Sequence, residues 1–347
     1  MQHIMKTMFA GMLILATVGA SPVASAQSVV KVESGSLRGV NGAEVDRFLG
    51  IPYAQAPVGP LRWRDPLPAE KWNAMRDASR ASAACYQAAP AAFGPYTGEF
   101  LNGPDVSEDC LYLNVWRPHG DNGKLPVYVF IHGGAFNSGS GNIPIYDGAS
   151  LAQQGIVVVN INYRLGVFGF MAHPDLSRES THNGSGNYGM LDQVAALRWV
   201  RANIAAFGGD PAAMAIGGQS AGAVSVNDLI VSPLAKGLFR SAIAESGAGG
   251  KTFGAFHTSE MPYVMGVLDA PGRAFTAADR AVSRAMQDRW IALIKTGNPG
   301  HGWAPANAAP VVMGLGDTIG PRQAVSTPER FKAFSDFAAA GGKLSLF

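Results

Sequence analysis

The chain has 347 residues, and 47% of them are hydrophobic, which is enough to build a substantial core. Only 15% are charged, and the formal net charge is +2. This composition argues against a nucleic-acid partner and against a membrane contact held by charge.

The first segment predicts a secretory signal. Lys6 precedes an apolar stretch over residues 8–20, and Ala24-Ser25-Ala26 matches a cleavage site. The stretch is too short to span a bilayer comfortably and no charged stop follows, so a membrane anchor is the less favoured alternative. We expect a signal peptide over 1–26, one domain over 27–347, and a secreted or periplasmic protein with no membrane contact after cleavage.

The two cysteines are Cys85 and Cys110. Export to an oxidising compartment favours their pairing over two free thiols. Closing a loop of this length stabilises the fold by roughly 3 kcal/mol, mainly by restricting the unfolded chain.

Short β-prone runs at 29–32 and 37–40 flank a turn and predict a hairpin. Residues 48–63 are rich in proline and glycine and predict a rigid, irregular surface segment. Residues 79–105 predict a loop that the cysteines close.

Apolar runs predict further strands over residues 111–116, 127–131, 156–161, 214–216 and 239–244. Helices are predicted near Leu151 and over residues 190–207 and 276–295, where apolar side chains recur at helical spacing. Strands that alternate with helices predict an α/β fold, in which a mostly parallel central sheet has helices on both faces.

A nucleophile pattern, Gly218-Gln219-Ser220-Ala221-Gly222, lies between the short strand and a helix-compatible segment. In that setting G-x-S-x-G forms a sharp turn that exposes the serine hydroxyl, and the glycines leave room for the turn. The pattern alone is weak in a chain with 43 glycines.

A glycine-rich segment, His132-Gly133-Gly134-Ala135, follows the strand over 127–131. Where such a loop lies beside a nucleophilic serine, its main-chain N–H groups and that of the residue after the serine can bind an oxyanion. The candidates are Gly134, Ala135 and Ala221, and losing one such donor costs about 3 kcal/mol of transition-state stabilisation. An ordinary glycine-rich turn is the alternative.

Several longer segments share one family pattern. They are FLGIPYAQAPVGPLRW at 48–63, SEDCLYLNVWRP at 107–118, IHGGAFNSGSG at 131–141, NYRLGVFGF at 162–170, GNYGMLDQVAALRWVRANIAAFGGDP at 186–211, GGQSAGAVSV at 217–226, GAFHTSEMPYVMG at 254–266 and WIALIKTGNP at 290–299. Together they resemble the type B carboxylesterases, the esterase and cholinesterase branch of the α/β-hydrolases.

The resemblance implies an α/β-hydrolase fold and a serine esterase that needs neither metal nor cofactor. It implies that Ser220 is the nucleophile and His257 the general base. Gly134, Ala135 and Ala221 correspond to the oxyanion hole. Cys85 and Cys110 match the small disulfide loop of the family.

The resemblance also implies structural ion pairs and bears on the substrate. The pairs are Arg62 with Glu108 and Arg164 with Asp210. Phe100 lies about where cholinesterases carry a choline-binding tryptophan. Without that tryptophan and without an acidic bias, we predict no preference for choline esters.

The chain departs from the family after the nucleophile, because Ser220 and His257 are only 37 positions apart. The absent stretch carries the triad acid and the last strands, so we expect a sheet without those strands. Three carboxylates remain as acid candidates, of which Glu245 is favoured over Glu260 and Asp228.

The sequence therefore predicts a secreted serine carboxylic ester hydrolase that acts on a small-molecule ester through an acyl-enzyme on Ser220. The alternative is an internally deleted family member that is catalytically impaired or acts as a binding protein. The sequence predicts neither the particular ester nor the oligomeric state.

Overall fold

The computed structural model describes residues 28–89, 91–92, 96–103, 105–120, 123–246, 258–269, 274–300, 311–314 and 319–323, with Lys332 and Asp336. The predicted signal segment and His257 lie outside the described residues, so the expectations for them stay predictions.

The described strands are β1 (Val29–Val32), β2 (Gly35–Arg38), β3 (Val45–Pro52), β4 (Arg76–Asp77), β5 (Ala84–Cys85), β6 (Val106–Ser107), β7 (Tyr112–Pro118), β8 (Leu125–Ile131), β9 (Val157–Ile161), β10 (Gly209–Gln219), β11 (Ser241–Glu245), β12 (Val311–Gly314) and β13 (Gly320–Gln323). The described helices are α1 (Ala149–Ala152), α2 (Gly166–Phe170), α3 (Pro174–Glu179), α4 (Tyr188–Asn203), α5 (Ala221–Val231), α6 (Met261–Met265) and α7 (Ala277–Thr296). Short 3₁₀ turns cover Gly59–Leu61, Gly98–Phe100, Pro144–Tyr146, Ile204–Phe207 and Pro233–Ala235.

The central sheet has six strands in the order β11-β10-β8-β9-β7-β3. Five strands run in one direction and β7 runs against them. This confirms the prediction of a mostly parallel sheet. Among the described residues no strand pairs with the outer side of β11, while β12 and β13 form a separate hairpin.

Both faces of this sheet are buried, because alternate side chains of each strand point to opposite sides. Along β8, Val127, Val129 and Ile131 pack on the face that α4 and α5 cover. Tyr128 and Phe130 pack on the other face, with α1 and α7. The continuous apolar run of β8 is therefore explained by burial on both sides.

Residues 48–52 correct one prediction, since they form part of β3 rather than an irregular surface segment. Phe48 and Ile51 are fully buried. The pairing of β3 with β7 changes register between these two residues, and Gly50 there has a φ of +67°. Glycine in this stretch therefore marks a bulge inside the edge strand of the central sheet, not a loop.

The two long helices and the hairpin confirm their predictions. β1 pairs antiparallel with β2. Helix α4 continues into a 3₁₀ turn that ends at Gly208, which has a φ of 80°. Helix α7 begins after a capping box formed by Thr276 and Asp279 and ends at Gly297. These boundaries follow from local capping chemistry, which a sequence displays directly.

One predicted ion pair is confirmed and the other is wrong. Arg62 Nε donates to Glu108 at 2.5 Å, as expected. Arg164 does not bind Asp210, because it binds Asp192 of α4 through Nε at 2.8 Å and Nη2 at 2.7 Å. Arg164 and Asp192 are buried, whereas Asp210 accepts from the main-chain N–H of Ala212 at 2.8 Å.

The cysteines form the disulfide that the sequence predicts, Cys85–Cys110. It joins the end of β5 to the segment just before β7, so it closes the loop over residues 85–110. Within the described ranges, no helix is long and apolar enough to cross a membrane.

The buried ion pair yields a first prediction. Asp192→Asn leaves the Arg164 guanidinium buried without its counter-charge, so we expect it to lower the free energy of unfolding by about 3–5 kcal/mol. Asp210→Asn keeps the side-chain oxygen that accepts from the Ala212 N–H. It should change the free energy of unfolding by less than about 0.5 kcal/mol. Urea unfolding of both variants measures the difference. A larger loss in Asp210→Asn would instead support the pairing expected from the family.

Candidate active site

Ser220 occupies a strained turn between β10 and α5. Its φ is 57° and its ψ is −119°, a conformation that costs energy in any residue with a side chain. The Ser220 N–H donates to the carbonyl of Glu245 at 2.8 Å, and the Ser220 carbonyl accepts from Val224 at 3.1 Å. The turn is therefore attached to the neighbouring strand and to the helix it begins.

The glycines on either side of Ser220 are required by close approach of the main chain. A Cβ atom on Gly218 would lie 2.3 Å from the carbonyl oxygen of Gly222. A Cβ atom on Gly222 would lie 2.0 Å from the carbonyl oxygen of Ile131. Any larger residue would push the turn away from β8, which explains both glycines of the pattern.

The segment over residues 132–140, here called the glycine-rich loop, folds against this turn. A Cβ atom on Gly133 would lie 2.9 Å from the Ser220 Cβ. Gly134, Ala135 and Phe136 have φ values of 113°, 53° and 60°. The main-chain N–H groups of Asn137 and Ser138 donate to Gly134, each at 3.0 Å, and close the loop.

His132 supports the loop from below. Its ring stacks on Tyr163 with a centroid separation of 4.4 Å, and Nδ1 donates to the carbonyl of Gly133 at 2.7 Å. The Tyr163 hydroxyl donates to the His132 carbonyl at 2.9 Å. Burial lowers the pKa of His132 to about 4, so the ring is neutral at physiological pH. These contacts support a structural role for His132.

A pocket of about 460 Å³ opens beside Ser220. Its described walls combine apolar rings, small side chains and neutral polar groups, from Gln87, Ala88, Ala89, Ala91, Tyr96, Phe100, Leu101, Asn102, Gly133, Gly134, Ala135, Ser138, Gly139, Ile143, Tyr146, Gln219, Ser220 and Thr258. None of these is charged. Three of the sequence-predicted site residues therefore share one pocket, and Ala221 begins α5 directly beside Ser220.

Glu245 meets the nucleophile through its main chain, whereas its carboxyl group is held by other partners. One carboxyl oxygen accepts from Trp290 Nε1 at 3.1 Å and from the Tyr128 hydroxyl at 3.4 Å. Burial raises the pKa of Glu245 to about 8. A carboxyl group that keeps its proton at neutral pH offers little charge to an imidazolium, which weakens Glu245 as a triad acid.

The other two acid candidates have different surroundings. Glu260 accepts a hydrogen bond from the hydroxyl of Ser246, the residue that follows β11. Asp228 lies on α5 and is exposed. Neither carboxyl lines the pocket among the described residues.

Two glutamines at the pocket were missed by the sequence reasoning. Gln219 is buried, and its Nε2 donates to Thr258 Oγ1 at 2.8 Å, which links the nucleophile turn to the residue after His257. Gln87 contacts the glycine-rich loop from the other side. Both contacts join residues that are distant in sequence, so no local sequence pattern predicts them.

Residues 26–251 match the model of the carboxylesterase family. The chain belongs to this family. It is 47% identical over 215 residues to fumonisin B1 esterase from Sphingopyxis macrogoltabida, and the match covers 62% of this chain and 38% of that protein. It is 47% identical over 221 residues to para-nitrobenzyl esterase from Bacillus subtilis strain 168, covering 63% and 44%. A cholinesterase from Mus musculus is 41% identical over 239 residues, covering 67% and 39%.

The chain thus spans about two fifths of the length of these curated relatives. A solved structure of PNB esterase superposes with a TM-score of 0.78 at 26% identity, covering 88% of this chain and 99% of that chain. A carboxylesterase from Geobacillus stearothermophilus, EST55, gives a TM-score of 0.74 at 25% identity, covering 88% and 99%. The fold is that of the α/β-hydrolases, as the sequence predicts.

Glu245 yields a second prediction. Its carboxyl has a pKa of about 8 in the folded protein against an ordinary value of 4.5, so the folded state holds a proton that the unfolded state releases. The difference in pKa stabilises the folded state at low pH relative to high pH. This contribution of Glu245 to the free energy of unfolding is fully present below about pH 4.5 and is lost as the pH rises to about 8. We expect Glu245→Gln to become more stable relative to wild type across this window, by up to about 1.4 kcal/mol per pH unit.

Urea unfolding at several pH values between 5 and 8 measures the effect. Glu70→Gln, at an exposed glutamate, is the matched control and should follow the wild-type pH dependence. A constant difference between Glu245→Gln and wild type across the window would contradict the raised pKa.

Proposed function

We propose that this protein hydrolyses carboxylic esters through an acyl-enzyme on Ser220. The observation that carries the proposal is the contact between the strained Ser220 turn and the glycine-rich loop at one pocket. A nucleophile at a strand-to-helix turn beside two sets of main-chain donors is the arrangement that acyl transfer needs. Membership of the carboxylesterase family agrees with it.

In the proposed reaction, Ser220 Oγ attacks the ester carbonyl carbon and His257 accepts the hydroxyl proton. The N–H groups of Gly134, Ala135 and Ala221 donate to the oxyanion that forms. The Ala221 N–H lies in the first turn of α5, where main-chain donors lack helical partners and the helix dipole favours negative charge.

Collapse of the tetrahedral intermediate breaks the bond to the alcohol, which receives the proton from His257. The alcohol leaves and a water molecule replaces it. His257 takes a proton from this water as it attacks the acyl-enzyme. When the second tetrahedral intermediate collapses, His257 returns the proton to Ser220 Oγ, and the acid and free Ser220 are released. No acid is assigned to the triad, because the surroundings of Glu245, Glu260 and Asp228 favour none of them. Loss of an acid lowers kcat by roughly 10⁴-fold, yet the oxyanion donors still leave measurable acceleration.

The pocket chemistry supports small neutral esters as substrates. Phe100, Tyr96, Tyr146 and Ile143 provide apolar walls, and no charged side chain lines the described part of the pocket. Phenylalanine attracts a quaternary ammonium less strongly than tryptophan does. We propose that the enzyme acts after export, as the segment over 1–26 predicts, with no nucleic-acid partner.

The nucleophile yields a third prediction. Ser220→Ala should lower turnover of p-nitrophenyl acetate by at least about 10²-fold, because no other group forms the acyl-enzyme, while the oxyanion donors keep the residual rate above that of buffer. It should also abolish labelling by a fluorophosphonate probe. Ser180→Ala, at a serine whose hydroxyl contacts His182, is the control and should behave as wild type. Equal turnover and no labelling in folded wild type and Ser220→Ala would sink the proposal in favour of a binding protein.

The pocket yields a fourth prediction. We expect 3,3-dimethylbutyl acetate to be hydrolysed with a kcat/KM at least equal to that of acetylcholine, its positively charged isostere. The reason is that the uncharged pocket walls do not compensate for the loss of hydration of the cation. The two esters differ in charge and hardly in shape, so the ratio isolates the charge effect. A clear preference for acetylcholine would contradict the neutral substrate class.

A further inference from the structure

The side-chain amide of Gln87 makes two hydrogen bonds to the main chain of Gly139, near the end of the glycine-rich loop. Its Nε2 donates to the Gly139 carbonyl at 2.8 Å, and its Oε1 accepts from the Gly139 N–H at 2.8 Å. One amide therefore makes both hydrogen bonds that a paired strand would make. Two such bonds fix the orientation of Gly139 as well as its position.

The Gln87 amide is itself held by two further partners. Its Nε2 also donates to the carbonyl of Cys85 at 2.9 Å, and its Oε1 also accepts from Asn102 Nδ2 at 2.6 Å. An amide offers two donor hydrogens and two acceptor lone pairs, so all four are used. Because Cys85 is bonded to Cys110, the Gln87 amide is attached to a covalently closed loop.

Gly139, which the Gln87 amide holds, packs closely against the start of the glycine-rich loop. It has a φ of 105°, and a Cβ atom there would lie 2.4 Å from the Gly133 carbonyl oxygen and 2.5 Å from His132 Nδ1. Gly133 in turn packs on the Cβ of Ser220. A continuous line of contacts therefore runs from Gln87 through the loop to the nucleophile.

The loop needs such support because its tip is strained. Ala135 and Phe136 have φ values of 53° and 60°, in the left-handed region that is unfavourable for residues with a side chain. Strained residues keep their conformation only where the surroundings hold them. The Gln87 amide is one such restraint on the pocket side, opposite the stacked ring of His132.

We propose that Gln87 is a positioning residue for the oxyanion hole. By fixing Gly139 it keeps the N–H groups of Gly134 and Ala135 directed at the place where negative charge develops. The inference rests on the function proposed above. It assigns Gln87 no proton transfer and no bond to the reacting atoms.

This role affects the transition state more than the bound ester, since the oxyanion forms only in the transition state. A displacement of about 1 Å in a catalytic group can cost about 10²-fold in rate. Loss of the hydrogen bonds between Gln87 and Gly139 should therefore lower kcat by roughly 10- to 100-fold and change KM by less than about 3-fold.

The test compares Gln87→Met, which keeps the length of the side chain and lacks the amide, with Gln154→Met. Gln154 lies in the turn after α1, and its Nε2 donates to Gln287 of α7 at 3.1 Å, so the control removes a similar amide bond elsewhere. Gln87→Glu is the second variant, since it keeps the shape and replaces the donor by an oxygen facing the Gly139 carbonyl. Steady-state kinetics on p-nitrophenyl acetate and hydrogen exchange of a peptide over residues 132–140 are measured for all four proteins.

We expect lower kcat and faster loop exchange in both Gln87 variants, with Gln154→Met like wild type in both measurements. A Gln87→Met kcat within about twofold of wild type, or an equal loss in Gln154→Met, would overturn the proposal. If wild type shows no hydrolysis, the proposed function fails, and the exchange data still decide the matter for Gln87. Unchanged loop exchange in folded Gln87 variants then overturns the positioning role.

Discussion

Gly133 packs directly on the Cβ of Ser220, and this contact sets the geometry of the whole site. It brings the glycine-rich loop to the nucleophile turn, which itself approaches β8 so closely that Gly222 has no room for a side chain. Both partners carry strain, in the φ values of Ser220 and Ala135. Neither conformation would persist in an isolated peptide, so the site exists only while the packed sheet holds these segments together.

Strand β8 supports the site in two ways. It ends at Ile131, which leads into the glycine-rich loop, and its Tyr128 ring lies under Gly217 of the neighbouring strand. The Tyr128 hydroxyl also contacts the buried carboxyl of Glu245, whose own main chain holds the N–H of Ser220. Three adjacent strands thus converge at their carboxyl ends on one pocket, as is usual for ligand sites in α/β sheets.

The sequence predicted the parts of the structure that local chemistry determines. Continuous apolar runs identified β8 and β9, and apolar side chains at helical spacing identified α7. It failed where a partner is distant in sequence. Strand β3 looked irregular because the bulge at Gly50 is explained only by its pairing with β7. Arg164 was assigned to Asp210 by resemblance, although Asp192 is the partner that burial selects. The roles of Gln87 and Gln219 depend on the same kind of long-range contact.

The most direct test of the proposed mechanism is a crystal structure of the protein after reaction with a fluorophosphonate. The mechanism predicts a covalent bond from Ser220 Oγ to phosphorus. It also predicts a phosphonyl oxygen about 2.7–3.1 Å from the main-chain nitrogens of Gly134, Ala135 and Ala221, the range expected for oxyanion donors. An adduct on another residue, or a phosphonyl oxygen turned toward solvent and away from the glycine-rich loop, would contradict it.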